Sequence, residues 1–322
     1  MIKKQRDADA AHSLSRLTSL PPDDPEVTAE LEEIKLHLKH EDELGQSSYM
    51  DCFRASDNRI CFRTLTGIFI QAWQQLTGVN FIFYFGTTFF TNAGINSPFL
   101  ISIATSTVNV GMTLPGIWGV ERFGRRRLLL VGAVGMTICE FVIAIIGSTT
   151  KTSNQAAQSA EVAFVCFYIA FFASTWGPVT WAVTGEIFPL KIRAKAMSLS
   201  VASNWLWNFG IAYASTFFIL SEFYNVLTLS IAPYLVDSGP GNLNLGTKVF
   251  YVWGSTCFCC IIFAYFCVPE TKGLSLEQID LLYRNVAPVH SVSYRKRLMV
   301  DGNKLSHIGD IKEDDVASHE KV

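Results

Sequence analysis

The sequence predicts an all-α membrane protein: a six-transmembrane-helix bundle preceded by a charged cytosolic helical linker. Three observations lead there. Apolar residues make up 49% of the 322 residues and charged residues 17%, against roughly 25% charge in an average soluble domain. The apolar surplus is confined to residues 64–268, in blocks parted by short polar loops, while 1–63 and 269–322 are polar. Each block reaches the about 20 residues a membrane helix needs, twice the length of a barrel strand, and lacks strict alternation. The net charge of −2 gives no sign of nucleic-acid binding.

Residues 1–63 read as the linker. The start "MIKKQRDADAA" is charged and lacks an apolar h-region, so no signal peptide is expected. "LEEIKLHLKHEDEL" is amphipathic, and its apolar stripe suits a helix packed under the bundle better than a partner-binding helix. Five blocks then span cleanly: Leu65–Phe90, Phe99–Val120, Leu128–Ser148, Ala163–Val183 and Val249–Val268. The apolar stretch Ser198–Val236 is too long for one span, and six crossings require that it cross once.

Loop charge orients the spans. Arg54, Arg59 and Arg63 precede the first block. Arg122, Arg125, Arg126 and Arg127 follow the second, and Lys191, Arg193 and Lys195 follow the fourth. The opposite loops hold only Lys151 and Lys248. Both termini are therefore expected in the cytosol, with 269–322 as a cytosolic tail. Of the eight cysteines, six lie in apolar blocks, where cysteine packs as a small hydrophobe. No paired C-x-x-C set has metal spacing, so no metal or other cofactor is expected, and no nucleophile–base arrangement suggests an enzyme.

Polar residues inside spans are informative because they are costly there. In the first span, around "QAWQQLTGVNFIFYF", Gln71, Gln75 and Gly78 share one helical face, with Gln74 about 100° from Gln75. Asn80 falls off both faces, and a break near Thr77–Gly78 would rephase it. Asn109 lies in the second span. The fourth holds Trp176, Gly177, Pro178 and Trp181, where Gly-Pro should kink the helix. "SNWLWNF" spaces Asn204 and Asn208 one turn apart. Amides both donate and accept hydrogen bonds, so this lining suits an uncharged polyhydroxylated ligand. For any single amide, helix–helix hydrogen bonding is an equal reading; three spans with amides favour a ligand. Glu140 reads equally as a proton relay or as a partner for a neighbouring helix. On the expected cytosolic side, the loops Glu121-Arg122-x-Gly-Arg125-Arg126 and Glu186 to Arg193 each carry an acid and a base, and charge pairing between the two loops would latch helices together as a salt-bridge gate.

Together "QQLTGVN", "ERFGRRRLLLVG", "WGPVTWAVTGEIFPLKIRAKA", "SNWLWNF" and "VPETKGLSLEQ" resemble, in order, the signature segments of the sugar porter family of the major facilitator superfamily, in the style of fungal monosaccharide transporters. The resemblance covers only the second half of such a twelve-span protein. It implies alternating-access movement of a hexose-like, glucose-like monosaccharide across a membrane, the plasma membrane being expected, by facilitated diffusion or proton symport. A separate N-terminal six-helix bundle and membrane lipid are the implied partners. Residue by residue, it implies sugar contacts at Gln74, Gln75, Asn80, Asn109, Trp181 and Asn204. It also implies an outer gate at Tyr84 and an inner salt-bridge gate at Glu121, Arg125, Arg126, Glu186 and Arg193. A non-transporting sugar sensor and an inert fragment are the alternatives. Where Ala173 stands, some animal members carry a glutamate. "STFFILSEFYNVLTLSIA" interrupts the family pattern, an anomalous insert at about 215–232 that points to a retained intron or gene-model error. A mature message lacking these codons is expected; sequencing the transcript checks it.

Overall fold

A backbone in hydrocarbon must satisfy its own N–H and C=O groups, which a helix does within one segment. The protein follows that rule in a computed structural model describing residues 7–18, 20–21, 24–43, 47–56, 58–92, 98–150, 154–220 and 248–300. Among these there are helices and turns and no strand. The linker contributes α1 (Asp7–Thr18), α2 (Pro25–Glu43) and a 3-10 turn, Tyr49–Phe53. The bundle follows with α3 (Ile60–Leu76), α4 (Val79–Asn92), α5 (Pro98–Phe123), α6 (Arg125–Thr149), α7 (Gln155–Ser174), α8 (Trp176–Glu186), α9 (Arg193–Leu220) and α10 (Val249–Cys267). The tail adds α11 (Leu276–Asn285), a 3-10 turn at Pro288–His290 and helical residues 291–300.

Four stretches are long and apolar enough to cross a membrane: Phe99–Phe123, Arg125–Thr149, Gln155–Glu186 and Val249–Cys267. The sequence leads one to expect six. The difference has a local cause at α3 and α4, of 17 and 14 residues, each short of the about 20 a span requires. Helix α9 runs to Leu220, and the rest of the predicted crossing in Ser198–Val236 lies outside the described residues. So does most of the 215–232 insert.

The core forms where α6 packs between α7 and α10, while α3 packs on α9. In the α6 span 56% of residues are buried, against 17% in α5, so α6 is central and α5 peripheral. Leu129, Met136 and Ile143 of α6 meet Tyr168 and Trp176 in one cluster. The Trp176 indole donates to the Leu129 carbonyl at 2.9 Å, which satisfies its one polar atom.

Two helices are interrupted. At Gly78 the backbone takes φ +85°, and a Cβ there would lie 2.8 Å from the Trp253 ring. Only glycine meets both constraints. The break therefore falls where the phase of Asn80 suggests it. The second break precedes the Gly-Pro pair: Thr175 sits at φ −131°, ψ −83°, and α8 restarts at Trp176. Pro178 then lies in the first turn of a new helix, where its missing N–H is tolerated.

A broken helix leaves terminal carbonyls without partners. At the end of α3, neighbouring helices supply them. Thr256 Oγ1 donates to Leu76 O at 2.7 Å, Tyr168 Oη to Thr77 O at 2.7 Å, and Cys257 Sγ to the same carbonyl at 3.7 Å.

The tail docks on the base of the bundle through Arg63. This arginine is fully buried. It donates to Asp280 Oδ1 at 2.5 Å and stacks 4.1 Å over the Tyr283 ring. Burial pushes the Tyr283 hydroxyl above its ordinary value, so the ring stays neutral beneath the cation. Positive-inside statistics count Arg63 as a solvated orienting charge; the fold uses it as a buried tie. Arg63→Ala removes the stacking and the charge pair, and a loss of about 2–3 kcal/mol is expected. Thermal unfolding in detergent micelles checks the loss, and faster proteolysis of the tail should accompany it.

Candidate functional site

Three glutamines of α3 face inward and are buried, and α9 presents Asn204 to them, 4% exposed. Gln74 is the most heavily bonded. Its Nε2 donates to Trp176 O at 2.9 Å, Gly177 O at 3.1 Å and Thr180 Oγ1 at 2.5 Å. Its Oε1 accepts from Asn204 Nδ2 at 2.9 Å. Asn204 Nδ2 also reaches Gln71 Oε1 at 2.7 Å, and Gln75 Nε2 donates to Asn204 Oδ1 at 2.9 Å. Gln71 Nε2 closes the set on Thr184 Oγ1 at 3.1 Å. From beyond the Gly78 break, Asn80 Nδ2 donates to Gln75 Oε1. Each of these amides would cost about 1–3 kcal/mol if buried without a partner; here they satisfy one another.

The structure thus brings Gln74, Gln75, Asn80 and Asn204 into one network. Tyr84, one turn beyond Asn80, donates to Asn208 Oδ1 at 3.4 Å, one turn beyond Asn204. Asn109 is half-buried on α5 and Trp181 is 45% exposed on α8; neither hydrogen-bonds to the network. Polar capacity open to a ligand therefore lies on the side of half-buried Asn80, not at Gln74. Gln71, Thr180 and Thr184 are members that the predicted site set lacks. A threonine in an apolar helix ordinarily bonds its own i−4 carbonyl, as Thr180 and Thr184 do at 2.8 and 2.7 Å. Their spacing of four, facing the glutamines, was the available signal.

At the charged end of the bundle, Arg125 opens α6. Its guanidinium donates to Glu186 Oε1 at 3.1 and 2.7 Å, to Glu121 Oε1 at 3.2 Å and to Val120 O at 3.2 Å. Glu270 caps the same helix, accepting the Arg125 and Arg126 N–H groups at 3.0 and 3.3 Å. A carboxylate at a helix N-terminus is favoured by the exposed N–H groups and the dipole. Gly124 makes room for it: φ is +92°, and a Cβ would lie 2.5 Å from Glu270 Oε2. Among the described residues Arg126 forms no ion pair. It donates to Pro288 O and Val289 O at 2.9 Å each and to Tyr265 O at 2.6 Å. Arg193 stands apart from Glu186, and its buried Nε has no partner. Both oxygens of Glu186 are already engaged, the second by Thr271 Oγ1 at 2.6 Å. Glu270 and Thr271 lie in "VPETKGLSLEQ", which reads as a signature but gives no role to either residue from sequence.

A multi-pass helical membrane protein with a buried, neutral hydrogen-bonding site and ion pairs gathered at one end belongs to the solute-carrier class. The chain belongs to the sugar porter family of the major facilitator superfamily: residues 1–283 match the model for sugar (and other) transporters. It is 42% identical over 317 residues to the major facilitator-type transporter ecdD of Aspergillus rugulosus, covering 95% of this chain and 55% of that protein. It is 46% identical to the probable glucose transporter rco-3 of Neurospora crassa, over 89% and 46%. It is 42% identical to the high glucose sensor RGT2 of Saccharomyces cerevisiae, over 85% and 34%. Among solved structures, it resembles the inward-open xylose transporter XylE of E. coli with TM-score 0.60 at 25% identity, covering 85% of this chain and 50% of that one. The bromodeoxyglucose-bound form of that proton:xylose symporter gives TM-score 0.59 at 28% identity, covering 80% and 48%. The chain spans about half the length of the curated relatives it matches.

Because Gln74 is saturated, Gln74→Leu should remove its bonds to Trp176 O, Gly177 O and Thr180 Oγ1 and leave one Asn204 N–H unpaired. A loss of about 2 kcal/mol is expected, read as a lower melting temperature in micelles. Asn80→Ala, by contrast, should shift the melting temperature little.

Proposed function

We propose that this chain is the C-terminal bundle of a twelve-span carrier for a hexose-like monosaccharide such as glucose, working by alternating access. The observation that carries this reading is the network of Gln74, Gln75, Asn80 and Asn204 at a helix break. It offers donors and acceptors but no charge, as sugar hydroxyls require. Discontinuous helices recur at transporter sites near the midplane, where two bundles meet. The relatives named for glucose transport, and the proton:xylose symporter of like fold, support the same reading.

In this reading Gln75, Asn80 and Trp181 contact sugar, and Asn109 closes the site from α5. Gln74 and Asn204 hold the lining in place, and Tyr84 with Asn208 guards the outer side. Glu121, Arg125 and Glu186 form the inner gate, with Arg126 and Arg193 on its flanks. Arg125 joins the α5–α6 turn to the end of α8, and separating those ends breaks its ion pair with Glu186. Both termini are cytosolic, the membrane is the plasma membrane, and the six-span crossing includes α3–α4 and α9. A site between two bundles needs both, so transport requires a first bundle. The similarity to a glucose sensor supports a second reading, sugar detection without passage.

Uptake of labelled glucose in cells lacking their own transporters tests both readings. With a first bundle supplied, saturable uptake is expected, and Gln75→Ala or Trp181→Ala should lower it about tenfold or more at unchanged surface level. Saturable uptake by this chain alone in liposomes overturns the half-carrier reading. Glucose binding without uptake in the completed protein favours the sensor.

A further inference from the structure

Glu140 is the polar group that neither the amide network nor the gate uses. It lies on α6, fifteen residues from Arg125 and so about 22 Å from the cytosolic end of that helix. It is fully buried, and neither carboxyl oxygen has a hydrogen-bond partner among the described residues. An ionised carboxylate unpaired in that setting is highly unfavourable, so this conformation holds Glu140 as the neutral acid.

Its neighbours are themselves arranged around the α3 break. The Cys257 thiol of α10 lies beside the Glu140 carboxyl without a formed hydrogen bond to it, and it donates to Thr77 O at 3.7 Å. Tyr168 of α7 donates to the same carbonyl at 2.7 Å. Cys260 Sγ reaches Trp73 O at 3.9 Å, and Cys139 precedes Glu140 on its own helix. The charged residues of α5 and α8 lie at their cytosolic ends, at Glu121, Arg122 and Glu186; Glu161 opens α7 near the opposite end. No cation faces Glu140 from any of these helices.

A thiol has one proton to donate. While Glu140 is neutral, its O–H can point at Cys257 sulfur, and the Cys257 S–H serves Thr77 O. An ionised Glu140 claims that S–H instead, which leaves the Thr77 carbonyl on Tyr168 alone. We propose that Glu140 is an exchangeable-proton site whose charge state sets the α3–α4 break through Cys257, giving this half of the molecule its own proton-coupled element. The Glu140 O–H bond breaks, its proton leaves to water, the S–H donor changes acceptor, and nothing is oxidised or reduced. The proton site stands on the geometry alone; its coupling to sugar rests on the reading proposed above.

Trp253 packs on Gly78 and serves as the probe. Its fluorescence is recorded from about pH 5 to pH 10 in the purified full chain in micelles, alongside the infrared carboxyl band. Wild type should show one step in both signals. Glu140→Gln keeps the volume and stays neutral, so it should lose both and hold the low-pH fluorescence throughout. Cys257→Ala should keep the infrared step and lose the fluorescence step. A flat wild-type profile, or a step that survives in Glu140→Gln, overturns the proton site. Survival of both steps in Cys257→Ala overturns the coupling. Glucose titrated into the chain paired with a first bundle separates the two readings. If no glucose binds and both steps persist, the sugar reading fails and the proton site stands. Glucose affinity that ignores both pH and Glu140→Gln overturns the link to sugar.

Discussion

The saturation of Gln74 is the contact on which the rest of the bundle depends. Breaking a helix inside hydrocarbon exposes carbonyls that no lipid can satisfy. At the Thr175 break Gln74 Nε2 grips the start of α8 through the Trp176 and Gly177 carbonyls, which also accept from Thr180 of their own helix. Its own oxygen is held by Asn204. One side chain thus ties α3, α8 and α9 together at the depth where both breaks occur. The second break, at Gly78, is sealed by Thr256, Cys257 and Tyr168 from the other side. Irregular backbone survives here because side chains from three directions complete it.

The same logic operates at the charged end of the bundle with ions in place of amides. Glu270 caps α6 through two backbone N–H groups, which positions Arg125 to bridge Glu121 and Glu186. Arg126 turns to the tail carbonyls, and Arg63 clasps α11 through Asp280 and Tyr283. The tail is therefore joined to the helix ends that any gate there would have to move. Links of this kind are strong while buried and weaken once water enters, because screening and competing hydrogen bonds replace them.

Much of the architecture was legible in the chain itself. Block lengths and loop charge indicate membrane helices, and the phase of Asn80 against Gln71 and Gln75 points to a break at Thr77–Gly78. The kink assigned to Gly177–Pro178 lies at Thr175, because proline is accommodated in the first turn of the restarting helix. Between the two charged loops the pair is Arg125 with Glu186; Arg193 takes no part, because Arg125 and Thr271 occupy both Glu186 oxygens. Glu270, Thr180 and Thr184 escaped notice because each looks locally ordinary: an acid in a loop, and threonines bonded to their own helix.

The sequence alone determined that this chain spans membranes as helices, and that the polar residues of α3, α4 and α9 inside the apolar blocks are neutral amides and hydroxyls. Those properties follow from composition and spacing, which are local. Only the tertiary structure decided which amides bond to one another and which keep capacity for a ligand. It also decided that Arg63 is a tie rather than a surface charge, and that Glu140 has no oppositely charged partner. Such assignments depend on which distant helix faces each side chain, and hydrogen-bond geometry across helices is not encoded in any one segment.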